Sequence, residues 1–539
     1  MKLKDNYLLL LCVICLAIFF VNLDAIMINI MEARNFTTAR EMINLDHWIF
    51  TTLNNEPRYE KPPLPTWLTA VSMLIFGMKS LFALRLPAAI MGTISVIFIY
   101  KLGLKITAHR KFAFISGLIA ATSFYILYSG RDGQWDIHTH AWMMMSIYAM
   151  YRIFIDEGNK YLNALIAGLF LGCSFLSKGP VSMYALLLPF LIAYGVIYKY
   201  RNLKDKWPAL LLMLIVALTV SASWSLYVYF FDTNAVAKIT ERETGRWLDY
   251  NVRPFYYYWS FVIQSGIWTI PAFVGLLYPY LKNRVFDKKG YRFTLGWTLV
   301  SVILLSIIPE KKSRYLLPVL IPLALNTAFY IEYLFRRFEI MPKKEKWIVY
   351  FNFGLIAIIG LAFPFAGFYY FKDEFSEIWY WYLLTSICLV AIAILILYYL
   401  KENKFKPVFY LTVWFIISII FFGLPILKKL DLNPAYKSIS TVDLYLEKQS
   451  IPLYEYSGFT PEIIWEYGKP IETLKNGDNF DFPTSKKFML LVTEAETDQM
   501  KSALSGFKIE KIDEINMNVQ PGTYRDRLYR NLFLISRKQ

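Results

Sequence analysis

Charge is scarce in this chain, and where it gathers it does so in mixed sign. The stretch from Glu32 to Trp67, EARNFTTAREMINLDHWIFTTLNNEPRYEKPPLPTW, sets Glu32, Arg34, Arg40, Glu41, Arg58, Glu60 and Lys61 among prolines and aromatics, just after the first apolar run. Later turns between apolar runs add Arg131, Asp132 and Asp136, then Lys178, then Glu241, Glu243, Arg246 and Arg253, and finally Glu310, Lys311, Lys312, Arg314 and Tyr315. Grouped cations of this kind hold an anion such as a phosphate, and a carboxylate beside them can take a proton from a hydroxyl. Any one of these residues, taken alone, is more often a solvated loop charge than a working group. Their meaning depends on whether the fold brings them to one face.

The elements that would do so are helices in a bilayer. Of 539 residues, 56% are hydrophobic and 18% charged, where a soluble domain carries about a quarter charged residues. Helices are expected over 7–23, 82–103, 112–130, 137–154, 161–177, 181–198, 208–231, 257–281, 293–308, 315–335, 347–371, 378–400 and 408–426. The fold class is thus a polytopic α-helical membrane protein with about 13 transmembrane helices. The net charge of +16 is no sign of nucleic-acid binding, because the lysines and arginines sit in short loops at 104–111, 199–207, 282–292, 336–346 and 401–407. Those loops fall on the same side as Lys2 and Lys4, which makes that side cytoplasmic. The first helix has a basic start but is not followed by a small-residue cleavage site, so it is read as retained. Cys12, Cys15, Cys173 and Cys388 all lie within apolar runs and read as packing residues.

The apolar piece from Leu64 to Gly77 would reverse every later loop if it crossed the membrane. It is therefore expected to be re-entrant or interfacial, interrupted at its start by Pro62, Pro63 and Pro65. An odd number of spans puts the C-terminus outside, together with 24–81, 131–136, 178–180, 232–256, 309–314 and 372–377. Tyr256 to Trp259 and Trp379 to Trp381 are aromatic clusters suited to the outer interface. From about Lys428 the composition turns polar, with strand-like runs at Pro452 to Tyr456, Lys487 to Val492 and Asn531 to Ser536. Helix-like pieces run from Thr441 to Lys448 and from Glu494 to Ser505. The expected organisation is a transmembrane domain over 1–427, including the outer loop 24–81, and a small extracytoplasmic α/β domain over 428–539.

Within the first outer loop, Ala33, Phe36, Ala39 and Met42 are spaced as on one face of a short helix, which predicts a helix lying on the membrane surface. Arg58-Tyr59-Glu60-Lys61-Pro62-Pro63 then forces an extended strap into the next helix. His138 and His140 are two apart and fall on different helix faces, which argues against a metal pair. Lys178 precedes a Gly-Pro turn and, on its own, reads as a snorkelling anchor.

The succession E-A-R-N-F-x-x-A-R-E-M, then W, then R-Y-E-K-P-P-L-x-x-W resembles the first outer loop of membrane glycosyltransferases that use polyprenyl-phosphate sugars. The nearest type is the ArnT-like aminoarabinose transferases, within the wider protein O-mannosyltransferase-like GT-C superfamily. The resemblance continues in order through Ser129-Gly130-Arg131 with Asp136, Leu176-Ser177-Lys178-Gly179, and Glu243-Thr244-Gly245-Arg246-Trp247 followed by Pro254-Phe255-Tyr256-Tyr257. It ends with Lys311 or Lys312 and Tyr315-Leu316-Leu317-Pro318. Each motif alone is weak; their ordered succession from about residue 20 to about residue 320 is specific.

The resemblance implies that Lys61, Arg246 and Tyr315 hold the donor phosphate and that Glu32 and Asp136 are the catalytic acids on the sugar side. Arg34, Arg58, Glu60, Arg131, Lys178, Glu243, Lys311 and Lys312 would support them. The one cofactor it admits is a divalent metal near Glu60. This chain departs from the family at Met31, where two consecutive acids would put an aspartate, and Asp24 lies upstream of that point.

The implied function is transfer of a sugar, 4-amino-4-deoxy-L-arabinose or a similar one, from undecaprenyl phosphate to a lipid A-like or other envelope acceptor, at the outer face of a bacterial inner membrane. Membrane lipids, and no nucleic acid, complete the expected partners. The alternatives are protein O-glycosylation and, from another class, a lipid-linked sugar flippase. A flippase should show repeated halves and charges near the midplane, neither of which the sequence has.

Overall fold

The computed structural model describes residues 6–249, 251–372, 375–428, 433–441, 451–476, 479–520, 522 and 524–537. It separates into two compact units. One comprises Met1–Ile26 with Tyr59–Lys429, the other Met27–Arg58 with Leu430–Gln539. The outer loop 24–81 is thus divided. Its first half packs with the C-terminal region, and its second half, beginning at the strap, stays with the helices.

Each stretch expected to be helical in the first unit is helical, and the chain is a multi-pass membrane protein. Among the described residues, nine helices are long and apolar enough to cross a membrane: Leu81–Thr107, Lys160–Lys178, Leu203–Phe231, Phe255–Leu276, Lys288–Ile307, Ser313–Ile340, Lys343–Tyr370, Phe375–Lys401 and Phe405–Leu427. Tyr7–Phe19, Leu64–Phe76 and Met183–Ile197 are shorter apolar helices. Asp136–Phe154 is a further helix, whose apolar run is broken by His138, His140 and Ser146. The centre of the unit is the helix Leu317–Arg337, in which every residue from Leu317 to Leu334 is buried. Such a helix is apolar all round because protein surrounds it on every side. It packs on Arg110–Thr122, Thr269–Leu276 and Lys288–Ile307, and so gives the turn at its start a rigid base.

One expected loop proves to be structured. Residues 232–256 were read as an outer loop, but Thr233–Asp249 is a helix. Its mean polarity hides an amphipathic pattern, with Val236, Ile239 and Trp247 spaced along the turns and charges between them.

The second unit is built on a five-stranded sheet in the order Glu472–Thr473, Leu453–Glu455, Lys487–Val492, Tyr529–Arg537, Phe507–Asn516. The first three strands are parallel, and the last two run antiparallel to their neighbours. Lys487–Val492 is central and is covered on both faces, with Met489 and Leu491 in one core and Phe488, Leu490 and Val492 in the other. A continuous apolar run is what a strand buried on both faces requires. Phe507–Asn516 was not anticipated; it is an edge strand whose Lys508, Glu510, Lys511, Asp513 and Glu514 mask its alternation and guard the open edge. The expected helix Thr441 to Lys448 lies almost wholly outside the described residues, and Glu494 to Ser505 folds as a 3₁₀ turn leading into Thr497–Ala503.

The helix Ile30–Asn44 belongs to this unit and does not have one wet face. Besides Ala33, Phe36, Ala39 and Met42, its polar residues Glu32, Asn35, Thr37, Thr38, Arg40 and Glu41 are buried. Arg40 donates to the carbonyls of Ile464 and Trp465, at 2.9 Å each, and lies over the Trp465 ring. Glu41 accepts from the Thr52 hydroxyl at 2.5 Å and from the Asn54 amide at 2.7 Å, which fixes the hairpin Thr52–Pro57. The Asn54 side chain then pairs with the backbone of Ile471 in both directions, at 2.7 Å each way. The reading of a membrane-surface helix is corrected: its polar side is taken up by hydrogen bonds within this unit.

Glu455 is 1% exposed, and its carboxylate meets Arg530 Nε at 3.0 Å while its other oxygen is buried without a partner. Burial pushes its pKa up to about 7, against the pull of Arg530. A buried acid with a raised pKa binds its proton more tightly when folded, so stability is greatest below the ordinary glutamate range and falls as pH rises through about 7. Amide hydrogen exchange of the strand Lys487–Val492 in the intact protein should show this unit losing about 3 kcal/mol between pH 4.5 and pH 8. Glu455→Gln should flatten that slope.

Candidate active site

The first unit assembles its site from a helical hairpin. Asp136 opens the helix Asp136–Phe154 and Lys178 closes the helix Lys160–Lys178. An acid at a helix start and a cation at a helix end both suit the helix dipole. One turn inside, Thr139 Oγ1 donates to the Ser174 carbonyl at 2.9 Å and Ser174 Oγ returns to the Thr139 carbonyl at 2.8 Å. This zipper sets the register that brings the two ends level. Asp136 and Lys178 then form a direct ion pair, with side chains 4% and 6% exposed.

Two glycines are required by this geometry. Gly179 ends its helix at φ +74, where an L side chain is strained, and its N–H bonds the Phe175 carbonyl at 2.7 Å. At Gly130, an added Cβ would lie 2.5 Å from the Phe19 ring, so the turn leading to Asp136 can press against the first helix only without a side chain. Arg131 holds that contact. It donates to the carbonyls of Ile18 at 2.6 Å, Val21 at 2.7 Å and Asn22 at 2.9 Å. Its guanidinium works as a clamp on the end of the first helix.

The second wall is the turn before the central helix. Lys178 Nζ lies 5.2 Å from the centre of the Tyr315 ring, within cation–π range. Tyr315 donates its hydroxyl to Glu310 Oε1 at 3.2 Å, and Lys312 Nζ meets the same oxygen at 2.6 Å. Tyr258 grips the Lys312 backbone, accepting from its N–H at 3.0 Å and donating to its carbonyl at 3.2 Å. Of the two lysines left open by the sequence, Lys311 is buried and spent on the carbonyls of Arg253 and Ile308, at 3.0 and 2.5 Å. Lys312 is the one beside Tyr315.

The strap lies at the same end. Leu176, two residues before Lys178, forms an apolar cluster with Trp224 and Val228, against which Tyr59, Leu64, Trp67 and Val236 pack. Lys61 follows directly, half buried, ahead of the helix Leu64–Phe76. Glu60 forms an ion pair with Arg242 on the helix Thr233–Asp249. Glu243 and Arg246 follow on that helix, the side chain of Arg246 lying outside the described residues. Beyond the helix, Val252 bridges to Glu310 and the Arg253 N–H bonds the Pro309 carbonyl at 3.2 Å. The helix is thus tied to the strap near its start and to the Lys312 turn after its end.

The remaining candidates lie in the second unit. Glu32 caps its own helix: its carboxylate accepts from the Asn29 N–H at 3.3 Å and from the Asn29 side-chain amide at 3.2 Å. Asn29 in turn receives the N–H groups of Met31 and Glu32, which completes a capping box. Arg58 donates to the Arg34 carbonyl at 3.1 Å and to Thr38 Oγ1 at 2.9 Å, bracing the same helix. Asp24, upstream of Met31, pairs with Lys428 at 2.7 Å within the first unit.

No metal is called for by these donors. Among the described residues no three His, Cys, Asp or Glu side chains converge, and the carboxylate of Glu60 faces a guanidinium, which repels a divalent cation. Arg242 was not singled out from the sequence, and Tyr258 was read only as one of an aromatic cluster at the outer interface. The signal for Arg242 was its position four residues before Arg246 on an unrecognised amphipathic helix.

Breaking a buried ion pair leaves one charge without compensation, at a cost of about 3–5 kcal/mol. Asp136→Ala and Lys178→Ala should each lower the thermal midpoint of the detergent-solubilised protein. The double variant Asp136→Asn with Lys178→Met should recover most of that loss, although it removes both charges.

Comparison with known proteins follows the same residues. A family model described as dolichyl-phosphate-mannose-protein mannosyltransferase matches residues 60–225, which hold Lys61, Asp136 and Lys178. The undecaprenyl phosphate-alpha-4-amino-4-deoxy-L-arabinose arabinosyl transferase of Serratia proteamaculans is 24% identical over 367 residues, 65% of this chain and 64% of that protein. The protein of the same name from Shewanella sediminis is 26% identical over 347 residues, 61% of this chain and 60% of that protein. The match thus spans somewhat less than two-thirds of these curated relatives. The crystal structure of ArnT from Cupriavidus metallidurans bound to undecaprenyl phosphate shares the fold with a TM-score of 0.70, at 15% identity and 98% coverage of both chains. In fold, the chain resembles this ArnT structure along nearly its whole length.

Proposed function

We propose that this protein is a membrane glycosyltransferase that moves a sugar from a polyprenyl phosphate to an envelope acceptor. The observation that carries the reading is the meeting of Asp136, Lys178, Lys312 and Tyr315 at one end of the bundle, beside the strap that bears Lys61. The names of its relatives suggest undecaprenyl phosphate as the carrier and 4-amino-4-deoxy-L-arabinose as the sugar. The site and the second unit would face outward, across a bacterial inner membrane.

In the reaction, the bond between the anomeric carbon and the lipid phosphate oxygen breaks while an acceptor oxygen bonds to that carbon. Negative charge grows on the departing phosphate. Lys61, Arg246, Lys312 and the Tyr315 hydroxyl would stabilise it more in the transition state than in the ground state. Glu310 now occupies Lys312 and Tyr315, keeping both aimed at one oxygen-sized point. Asp136, held against Lys178, would line the sugar side and accept its hydroxyl hydrogen bonds.

The acceptor follows from the acids. Met31 stands where the resemblance puts an aspartate, and Glu32 is committed to capping its helix. A hydroxyl acceptor needs a base, whereas a phosphate such as that of lipid A is already ionised. A lipid A-like phosphate is therefore the acceptor this chain suits best.

Purified protein given an undecaprenyl-phosphate sugar and lipid A should form a sugar phosphodiester detectable by mass spectrometry. Lys61→Ala and Tyr315→Phe should each lower kcat/KM by about 10²–10³ with the protein still folded. Transfer to a protein or sugar hydroxyl, abolished by Glu32→Gln, would overturn the acceptor assignment; absence of transfer from any polyprenyl donor would overturn the enzyme reading.

A further inference from the structure

The strap and the helix Thr233–Asp249 touch at two points. The Tyr59 hydroxyl donates to Asp232 Oδ2 at 2.6 Å, one residue before the helix begins, and the Tyr59 ring stands edge-on to Trp224 with centroids 6.0 Å apart. The next residue, Glu60, pairs with Arg242. Asp232 and Arg242 are ten positions apart in the sequence, about 15 Å along a helix. Neighbouring strap residues therefore reach in opposite directions and hold the helix lengthwise. Lys61 comes immediately after Glu60, and Arg246 lies one helical turn beyond Arg242. Lys61, one of the cations assigned to the donor phosphate, thus adjoins the ion pair directly.

The two contacts differ in character. Tyr59 is backed by the apolar cluster of Leu176, Trp224 and Val228. The ion pair is more open, with Arg242 48% and Glu60 19% exposed, while Glu60 Oε2 is buried with no partner of its own. An exposed pair adds little to global stability. What it can fix is local spacing, and pre-set spacing lowers the ordering cost of binding.

We propose that Glu60 and Arg242 are positioning residues whose ion pair fixes Lys61 against the helix Thr233–Asp249, at the place where it meets the lipid phosphate. The proposal rests on the donor assignment made above, and its test separates the two. Binding of undecaprenyl phosphate to the full-length protein in nanodiscs is measured for wild type, Lys61→Ala, Glu60→Gln, Arg242→Gln, Arg242→Lys and the double variant Glu60→Gln with Arg242→Gln. A through-space charge effect would make Glu60→Gln bind tighter and Arg242→Gln weaker.

The positioning role makes both single variants weaker by about three- to fivefold, the worth of a partly exposed pair. The double variant should be no worse than either single, because each already removes the same contact. Arg242→Lys, which keeps the charge, should recover most of the affinity, and added salt should narrow the difference between wild type and variants. In transfer assays the KM for donor should rise, with kcat within about twofold of wild type. Opposite shifts in the two single variants, additive losses in the double, unchanged affinity, or a fall in kcat at unchanged KM would each overturn the positioning role. If Lys61→Ala alone abolishes binding, the donor assignment survives such a result. If wild type does not bind undecaprenyl phosphate, both fall together.

Discussion

A lone carboxylate or ammonium among apolar helices is untenable, and the site of this protein follows from how that constraint is met. Asp136 and Lys178 are almost wholly withdrawn from water, and each is tolerable there only because the other is present. The pairing fixes the two ends of a hairpin against each other, and Lys178 then presents itself to Tyr315. From Tyr315 the order passes to Glu310 and Lys312, and through Tyr258 to the segment after the amphipathic helix. Lys312 and Tyr315 share the Glu310 carboxylate, and their turn stands on a helix buried from Leu317 to Leu334.

Much of this could be read from the sequence. Apolar runs declared the helices, and the sign of the short loops indicated which ends belong together. Lys178, Asp136 and Tyr315, with Lys311 or Lys312, stood out through the ordered motifs of the resemblance, at the ends of apolar runs. What could not be read was how each charge is used. Arg131, Lys311, Arg40 and Glu41 resemble the site residues in type and setting, yet the fold spends them on backbone carbonyls and hydrogen-bonding partners many residues away. The difference lies in tertiary partners, which local spacing does not encode. The helix Thr233–Asp249 was missed for a related reason: charged residues lower its mean hydropathy to that of a loop, although its apolar positions keep helical spacing.

The acid at the start of the first outer loop has a defined setting in the fold. With methionine at position 31, Glu32 is left as the third residue of a helix capped by Asn29, where a glutamate closes a capping box. Its carboxylate satisfies the backbone of its own helix. The resemblance places this residue in the chemistry, and in the fold it also accepts the Asn29 N–H at the start of its own helix.

The second unit is discontinuous, formed from Met27–Arg58 and from everything after Leu430. Glu41, Asn54 and Arg40 lie in the early piece, and Ile464, Trp465 and Ile471, which receive Arg40 and Asn54, lie in the late one. Some four hundred residues of membrane helices must be made between donor and acceptor. During synthesis the early segment emerges with Arg40 and the Asn54 side chain lacking their late partners, which arrive only with the tail. Contacts of such sequence separation fold slowly. Completion of the tail is therefore a late checkpoint on the whole chain, and a polypeptide cut short after its last membrane helix would leave an early loop permanently without its core.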